Sequence, residues 1–165
     1  RTLLIPVGSA GDVHPYVGLG LALHQRGHDV TIATNPYFQP LVDRVGLNFI
    51  PLGSIAHYDA ILTNPNLWHP RKGLQVIGAA ARAAANELFS IVKAHGSDGN
   101  SVVVAHSLAF AARNAQDALG LRLVTIHLAV PSSGQRLEIW PFGKKTCGDK
   151  RHNHHDFFHV HLDGS

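Results

Sequence analysis

The fold is decided by residues 2–31, which read TLLIPVGSAGDVHPYVGLGLALHQRGHDVT. The apolar, β-branched run over residues 2–7 predicts a buried strand that ends in a tight turn. Pro15 suits the first turn of a helix, where its missing N–H costs nothing, and Gly27 is placed to cap that helix. Residues 29–33 then read as a second strand. Strand, helix and strand in this order predict a first β-α-β unit.

The same alternation continues along the chain. Further strands are predicted over residues 47–52, 102–105 and 121–128, and further helices over residues 36–45, 71–95 and 107–119. Residues 53–70 show no clear periodicity and contain Pro65 and Pro70, so we expect a long loop there. Strands that alternate with helices imply parallel units with right-handed crossovers. We therefore predict the α/β class, with a Rossmann-like doubly wound parallel sheet in a domain over residues 1–139.

Helical spacing also predicts which side chains of two later helices face the core. In the helix over residues 71–95 these are Leu74, Ile77, Ala81, Leu88 and Ile91. In the helix over residues 107–119 they are Leu108, Ala112, Ala115 and Leu119.

Residues 140–165 depart from this pattern, and five of the 13 histidines fall in the last 14 residues. This tail reads as an irregular extension that is not native to the domain, as a real loop, or as a metal-binding tract. His152, His154 and His155 are adequate ligands by type. Because histidine tracts also bind metals adventitiously, we predict no functional metal site.

Composition excludes several classes of protein. With 45% hydrophobic and 15% charged residues the chain can bury a proper core. A net charge of +3 without a basic stripe argues against a nucleic-acid partner. One cysteine, Cys147, precludes an internal disulfide framework and fits a reducing, cytoplasmic compartment. No stretch approaches the roughly 18 apolar residues of a membrane span.

The loop after the first strand is the place to look for a site, because ligands of doubly wound sheets bind beyond the carboxyl ends of the strands. Two glycines, Gly8 and Gly11, are followed at once by Asp12. A dinucleotide-binding loop needs three glycines in the pattern G-x-G-x-x-G, and an acidic side chain there would repel pyrophosphate. The loop therefore argues against NAD or FAD and for a role that uses a carboxylate.

Residues 8–16, 18–23 and 26–31 resemble the opening of the two-domain glycosyltransferases of the GT-B fold. The resemblance is strongest to the UDP-glycosyltransferase-like group of sterol and antibiotic-aglycone glycosyltransferases. Softer matches over residues 46–53 and 118–121 extend it to roughly residues 2–133. The resemblance implies the N-terminal half of a GT-B fold.

The resemblance also implies that the two substrates bind to different domains. The N-terminal domain of that family binds an alcohol or phenol acceptor, and a C-terminal domain binds a nucleoside-diphosphate sugar. Transfer inverts the anomeric carbon and uses no protein-bound metal. We thus expect a sterol, lipid or aglycone acceptor, no cofactor in this domain, and membrane contact only through a lipid acceptor. We expect no donor-binding domain within these residues, so that they are inactive alone.

Two alternatives stay open beside this interpretation. One is a non-catalytic α/β module that holds an apolar ligand. The other is a partner subunit for a separately encoded donor-binding chain. Either would use the same fold without chemistry of its own.

The resemblance places Asp12 at the position of the general base that takes the proton of the acceptor hydroxyl. Such a base contributes roughly 10²–10⁴-fold to the rate. An aspartate at a loop-to-helix junction is also a common helix N-cap, so both roles remain possible for it. The expected acceptor contacts are Gly11, His14, His106, Ser107 and Trp68. His106 is alternatively a group that orients the base or a buried structural histidine.

Overall fold

The computed structural model describes residues 1–96 and 99–128, and the backbone of 129 and 136–140. The elements in chain order are β1 (Thr2–Ile5), α1 (Ala10–Gln25), β2 (Val30–Thr34), a 3-10 turn (Pro36–Phe38), α2 (Gln39–Arg44), β3 (Asn48–Pro51), α3 (Ile55–Leu62), α4 (Gly73–Gly96), β4 (Val102–His106), α5 (Phe110–Leu119), β5 (Arg122–Ala129) and β6 (Arg136–Trp140).

The strands form one sheet in the order β3-β2-β1-β4-β5-β6. The first five are parallel, as the sequence predicts, and Leu4 of β1 pairs with Ile32 on one side and Val104 on the other. The strand β6, which the sequence analysis did not predict, runs antiparallel to β5. The chain winds outward in opposite directions from β1 and from β4, so the switch point of the doubly wound sheet lies between these two strands.

Successive residues of β1 are buried in different layers. Leu3 and Ile5 belong to the core layer that α4 and α5 cover, whereas Leu4 belongs to the layer under α1 and α2. All three side chains are buried. Because helices cover both faces of the sheet, its inner strands have to be apolar at nearly every position, which is the pattern that the sequence shows.

The helix α1 begins at Ala10, five residues before the predicted start at Pro15. Ser9 is the N-cap, and its backbone N–H donates to the side chain of Asp12 in the first turn. This capping-box pattern, a serine followed three residues later by an acid, starts the helix and leaves Pro15 inside it. The prediction from Pro15 alone was wrong because a stronger start signal precedes it.

The predicted loop over residues 53–70 contains the helix α3, so that prediction was wrong for residues 55–62. The Ser54 side chain caps α3 by accepting a hydrogen bond from the His57 N–H at 3.2 Å. No side chain of α3 is fully buried. Tyr58 holds it in place by ring contacts with Tyr37 and Phe38, at centroid distances of 5.3 and 5.6 Å.

The prediction that Leu74 and Leu119 face the core is wrong, because these side chains are 76% and 37% exposed. Leu74 lies in the first turn of α4, well before Leu88, the first side chain of that helix to be fully buried. The helix α5 begins at Phe110 rather than at residue 107, because residues 107–109 form a turn closed by the Ala109 N–H on the His106 carbonyl.

The tail is predicted over residues 140–165, and of these residues 141–165, with all five histidines of the tail, lie outside the described residues. In the described part of the chain, no helix combines the length and the apolar character that crossing a bilayer requires.

Two glycines of α1 give a matched test of how closely this helix packs on the sheet. A Cβ atom at Gly20 would lie 2.8 Å from Leu47 Cδ1 and 3.1 Å from Leu4 Cδ1, whereas a Cβ at Gly18 would have no atom of the described residues around it within 4 Å. We expect Gly18→Ala to raise the free energy of unfolding by up to about 1 kcal/mol, because alanine has less backbone entropy to lose.

Gly20→Ala should instead be less stable than the wild type, because the added methyl overpacks the core. We expect its free energy of unfolding to be about 1–3 kcal/mol below that of Gly18→Ala. Urea unfolding of both variants measures the difference. Equal stabilities for the two variants would contradict the packing of α1 described above.

Candidate active site

The candidate site lies at the switch point of the sheet. The loop after β1 and the turn after β4 both leave the carboxyl ends of neighbouring strands there. They bring Asp12, at the start of α1, next to His106, the last residue of β4. Ligands of doubly wound folds bind in this crevice.

The two carboxylate oxygens of Asp12 have different surroundings. Oδ2 accepts hydrogen bonds from the Ser9 N–H at 2.7 Å and from the Ser9 hydroxyl at 3.1 Å. Oδ1 lies 3.6 Å from Nε2 of His106, and the side chain is 30% exposed. The helix N-cap is Ser9 rather than Asp12, and capping engages only one oxygen of Asp12, so the other remains available for chemistry.

Gly8 makes this arrangement possible. Its φ angle of +135° is one that other residues rarely adopt. A Cβ atom at this position would overlap with Oδ2 of Asp12. Any side chain here would therefore displace the carboxylate.

His106 is held by its own turn. Its Nδ1 accepts a hydrogen bond from the Leu108 N–H at 3.2 Å, so in the neutral ring the proton is on Nε2. Burial lowers the pKa of His106, the Asp12 carboxylate partly opposes this, and His127 adds to the lowering. The result is a neutral imidazole with its N–H on the side of Asp12 Oδ1. At 3.6 Å, the contact is longer than a full hydrogen bond.

Tyr16, which the sequence analysis did not single out, completes this group. It lies one helical turn after Asp12, is 1% exposed, and has its ring centroid 6.4 Å from that of His106. Burial above all, and then the Asp12 carboxylate, raise the pKa of its phenol. Its hydroxyl has no hydrogen-bond partner within the described part of the chain. Its spacing of four residues from Asp12 was the available signal.

An apolar cavity of about 300 Å³ opens beside Asp12. The strand ends and α3, α4 and α5 all contribute to its walls, with apolar side chains such as Leu52, Ile61, Leu67, Ile77 and Leu88. Among the described lining residues Asp12 is the only one of the Asp, Glu, Lys and Arg types. A second, more open hollow between α3 and α4 has no carboxylate among its described lining residues. The first cavity therefore fits an apolar molecule that presents a polar group to Asp12.

The residues predicted from the sequence fall in three places. Asp12 and Trp68 line the cavity, and Trp68 lies at its rim with 85% of its surface exposed. His106 contacts Asp12 without lining the cavity itself. Gly11 and His14 are exposed in the first turns of α1 and Ser107 is half-buried, and none of the three lines the cavity. Their role as acceptor contacts stays a prediction.

Residues 2–121 match the glycosyltransferase family 28 N-terminal domain. The chain belongs to this family. A sterol 3-beta-glucosyltransferase of Pichia angusta is 45% identical over 49 residues, which are 30% of this chain and 4% of that enzyme. The O-mycaminosyltylonolide 6-deoxyallosyltransferase of Streptomyces fradiae is 43% identical over 49 residues, 30% of this chain and 12% of that enzyme. The chain thus aligns with only a small part of these relatives.

Solved glycosyltransferases share the fold. The kitacinnamycin glycosyltransferase superposes with a TM-score of 0.60 at 24% identity, over 76% of this chain and 29% of that one. SsfS6 of Streptomyces sp. SF2575, in complex with thymidine diphosphate, superposes with a TM-score of 0.58 at 21% identity, over 79% of this chain and 40% of that one. The expected fold, that of the N-terminal half of a GT-B glycosyltransferase, is confirmed.

The surroundings of His106 predict a pH effect on stability. Because its pKa in the folded state is below the usual value of about 6.5, the folded state disfavours the charged ring. The contribution of the neutral ring to the free energy of unfolding is therefore complete above about pH 6.5, and it is lost as the pH falls through the pKa of His106 in the folded state. We expect the free energy of unfolding of the wild type to fall more steeply on acidification than that of His106→Gln.

Urea unfolding of both proteins between about pH 7.5 and pH 5 measures this difference. The comparison cancels the other histidines, which both proteins share. Parallel pH profiles for the two proteins would show that His106 is not held neutral by its site.

Proposed function

We propose that this chain is the acceptor-binding part of an inverting glycosyltransferase. The enzyme would move a sugar from a nucleoside-diphosphate sugar to a hydroxyl of a small apolar acceptor. The observation that carries the proposal is the position of Asp12, whose partly exposed carboxylate lies at the edge of an apolar cavity of about 300 Å³. Membership of the glycosyltransferase family 28 N-terminal domain supports it.

In this proposal Asp12 is the general base. As the acceptor oxygen forms its bond to the anomeric carbon, its proton passes to Oδ1 of Asp12. The bond from that carbon to the diphosphate breaks on the opposite face, and the diphosphate leaves with the electron pair. Attack opposite the leaving group inverts the configuration. The other oxygen, Oδ2, stays bound to the Ser9 N–H and holds the carboxylate in place.

His106 is a positioning residue in this scheme. Its Nε2–H lies on the side of Asp12 Oδ1, and the bond from the Leu108 N–H to Nδ1 fixes the tautomer. A neutral N–H donor orients the carboxylate without the strong ion pairing that would make it a weaker base. Burial, which lowers the pKa of His106, keeps it in that form.

The cavity supports an acceptor that is largely apolar. Ala80, Ala81 and Ala84 line it from α4 and leave room between this helix and the strand ends. Burying apolar acceptor surface here contributes roughly 25 cal/mol for each Å² removed from water. The names of two relatives, a sterol glucosyltransferase and an antibiotic glycosyltransferase, are compatible with such acceptors.

The donor is assigned to a second domain. A solved glycosyltransferase of this fold carries thymidine diphosphate, which supports a nucleoside-diphosphate sugar as donor. We infer that the present residues bind the acceptor, hold no cofactor and are inactive without a donor-binding domain. The single cysteine fits a cytoplasmic enzyme.

Asp12→Asn tests the role of Asp12 in the longest natural form of the protein. Asparagine keeps an oxygen for the Ser9 N–H, so α1 should still form, but it cannot take a proton. We expect kcat to fall roughly 10²–10⁴-fold while acceptor binding changes little. Steady-state kinetics with a sugar-nucleotide donor, together with acceptor titration, measure both effects.

Asp43→Asn, an exposed aspartate of α2 outside the site, is the matched control and should leave kcat unchanged. Near-wild-type turnover of Asp12→Asn would end the general-base proposal. A wild-type protein that binds acceptors but turns over no donor would instead favour a non-catalytic binding module.

A further inference from the structure

Hydrogen bonds within the protein already engage three of the polar side chains that line the apolar cavity. The Ser9 hydroxyl donates to Oδ2 of Asp12 at 3.1 Å, and the Thr34 hydroxyl donates to the Pro6 carbonyl at 3.2 Å. Asn35 uses both ends of its amide, because Oδ1 accepts from a backbone N–H and Nδ2 donates to a backbone carbonyl, each at 3.0 Å. These three groups are therefore poorly available to a bound molecule.

Three further polar side chains line the cavity, those of His57, Tyr58 and Trp68, and they make no hydrogen bond within the described part of the chain. His57 and Trp68 are exposed, so water competes for their ring nitrogens. Tyr58 is half-buried and packs against the core layer under α1 and α2. A hydrogen bond is stronger where water is partly excluded. The Tyr58 hydroxyl is therefore the one of the three that is best placed to bind a polar atom of a ligand.

Packing fixes the ring of Tyr58 and its surroundings keep the hydroxyl neutral. The ring contacts those of Tyr37 and Phe38, at centroid distances of 5.3 and 5.6 Å. Burial above all, and then the charges of Tyr37, Asp12 and Asp59, raise the pKa of its phenol. A neutral phenol both donates and accepts a hydrogen bond. Because the ring is already held in place, a ligand that uses this hydroxyl pays little entropy to order it.

We propose that Tyr58 is a specificity-determining residue that binds a second oxygen of the acceptor, in addition to the hydroxyl that reacts at Asp12. The acceptor class that this contact selects is an apolar molecule with at least two oxygen substituents, hydroxyl or carbonyl. A molecule with a single hydroxyl would leave the Tyr58 hydroxyl unpaired inside an apolar site, which lowers its affinity. The assignment rests on the proposed function, in which the cavity holds the acceptor. The contact itself requires binding alone, with no donor and no turnover.

Calorimetric titration of the longest natural form of the protein with naphthol and with the isomeric dihydroxynaphthalenes tests this contact. The probes share one apolar ring system, and in the diols the second hydroxyl lies at different distances from the first. We expect at least one diol to bind the wild type about 2- to 10-fold more tightly than naphthol, because a neutral hydrogen bond contributes a factor of that size. Tyr58→Phe keeps the ring contacts and should abolish this preference, while its affinity for naphthol does not fall.

Tyr37→Phe is the matched control. It removes a hydroxyl from a tyrosine that contacts the Tyr58 ring, but Tyr37 is 55% exposed and is not among the residues that line the cavity. His57→Ala removes the neighbouring polar ring on α3 and leaves the backbone N–H that the Ser54 side chain accepts. Both variants should keep the diol preference of the wild type. Far-ultraviolet circular dichroism of each variant confirms that it is folded.

Four results would overturn the contact: a wild type that prefers no diol, a preference that Tyr58→Phe retains, a preference lost in His57→Ala instead, or a fall in naphthol affinity in Tyr58→Phe. The last result would place Tyr58 at the reacting hydroxyl. A diol preference that depends on Tyr58, in a protein that transfers no sugar, would support the contact and reject the proposed function. Sugar transfer to naphthol and to the diols, with kcat/KM unchanged in Tyr58→Phe, would support the proposed function and overturn the contact.

Discussion

The start of α1 and the geometry of the candidate site both depend on the hydrogen bond from the Ser9 N–H to Oδ2 of Asp12, at 2.7 Å. It starts α1 at Ala10 by satisfying a backbone donor at the helix entry. It also fixes the carboxylate, so that Oδ1 lies beside His106 at the edge of the cavity. The arrangement requires Gly8, because any Cβ there would overlap with the same oxygen. One local interaction thus sets both the helix start and the geometry of the candidate site.

The doubly wound sheet and the helices play different roles around this junction. The strands β1 and β4 are buried on both faces, and at their adjoining carboxyl ends lie Asp12, in the first turn of α1 after β1, and His106, the last residue of β4. The helix α3 and the first turns of α4 form the outer wall of the cavity, and no side chain of α3 is fully buried. Segments with few buried contacts open at low free energy. The rigid edge that holds the candidate site therefore faces a wall that can open to admit a ligand.

Much of the fold follows from local signals in the sequence. Apolar runs located the five parallel strands, and the carboxyl-end rule placed Asp12 and His106 in one crevice. The start of α1 was misread because Pro15 is a familiar helix-start residue, while the Ser9 and Asp12 pair is the signal that decides it. The helix α3 was missed because the prolines and asparagines after it obscured the Ser54 cap.

Other features depend on contacts that no local pattern contains. The 3.6 Å approach of Asp12 and His106 joins two elements far apart in the chain. In the sequence Tyr16 has the pattern of an ordinary core residue of α1. Only the packed structure places its ring beside that of His106 and buries its hydroxyl. Leu74 has the spacing of a core residue, but α4 reaches the core only further along. The strand β6 pairs with β5 across the end of the alternating pattern.

We propose above that the cavity beside Asp12 binds an apolar, hydroxylated acceptor. Protein-observed NMR titration of the wild type and of Ala81→Phe, which fills the cavity from α4, tests it most directly. We expect a sterol or aglycone alcohol to shift the amide signals of Gly8, Ser9 and Asp12 in the wild type only, and we expect NAD and thymidine-diphosphate glucose to shift these amide signals in neither protein. Shifts of these amides by NAD, or acceptor shifts that persist in Ala81→Phe, would contradict it.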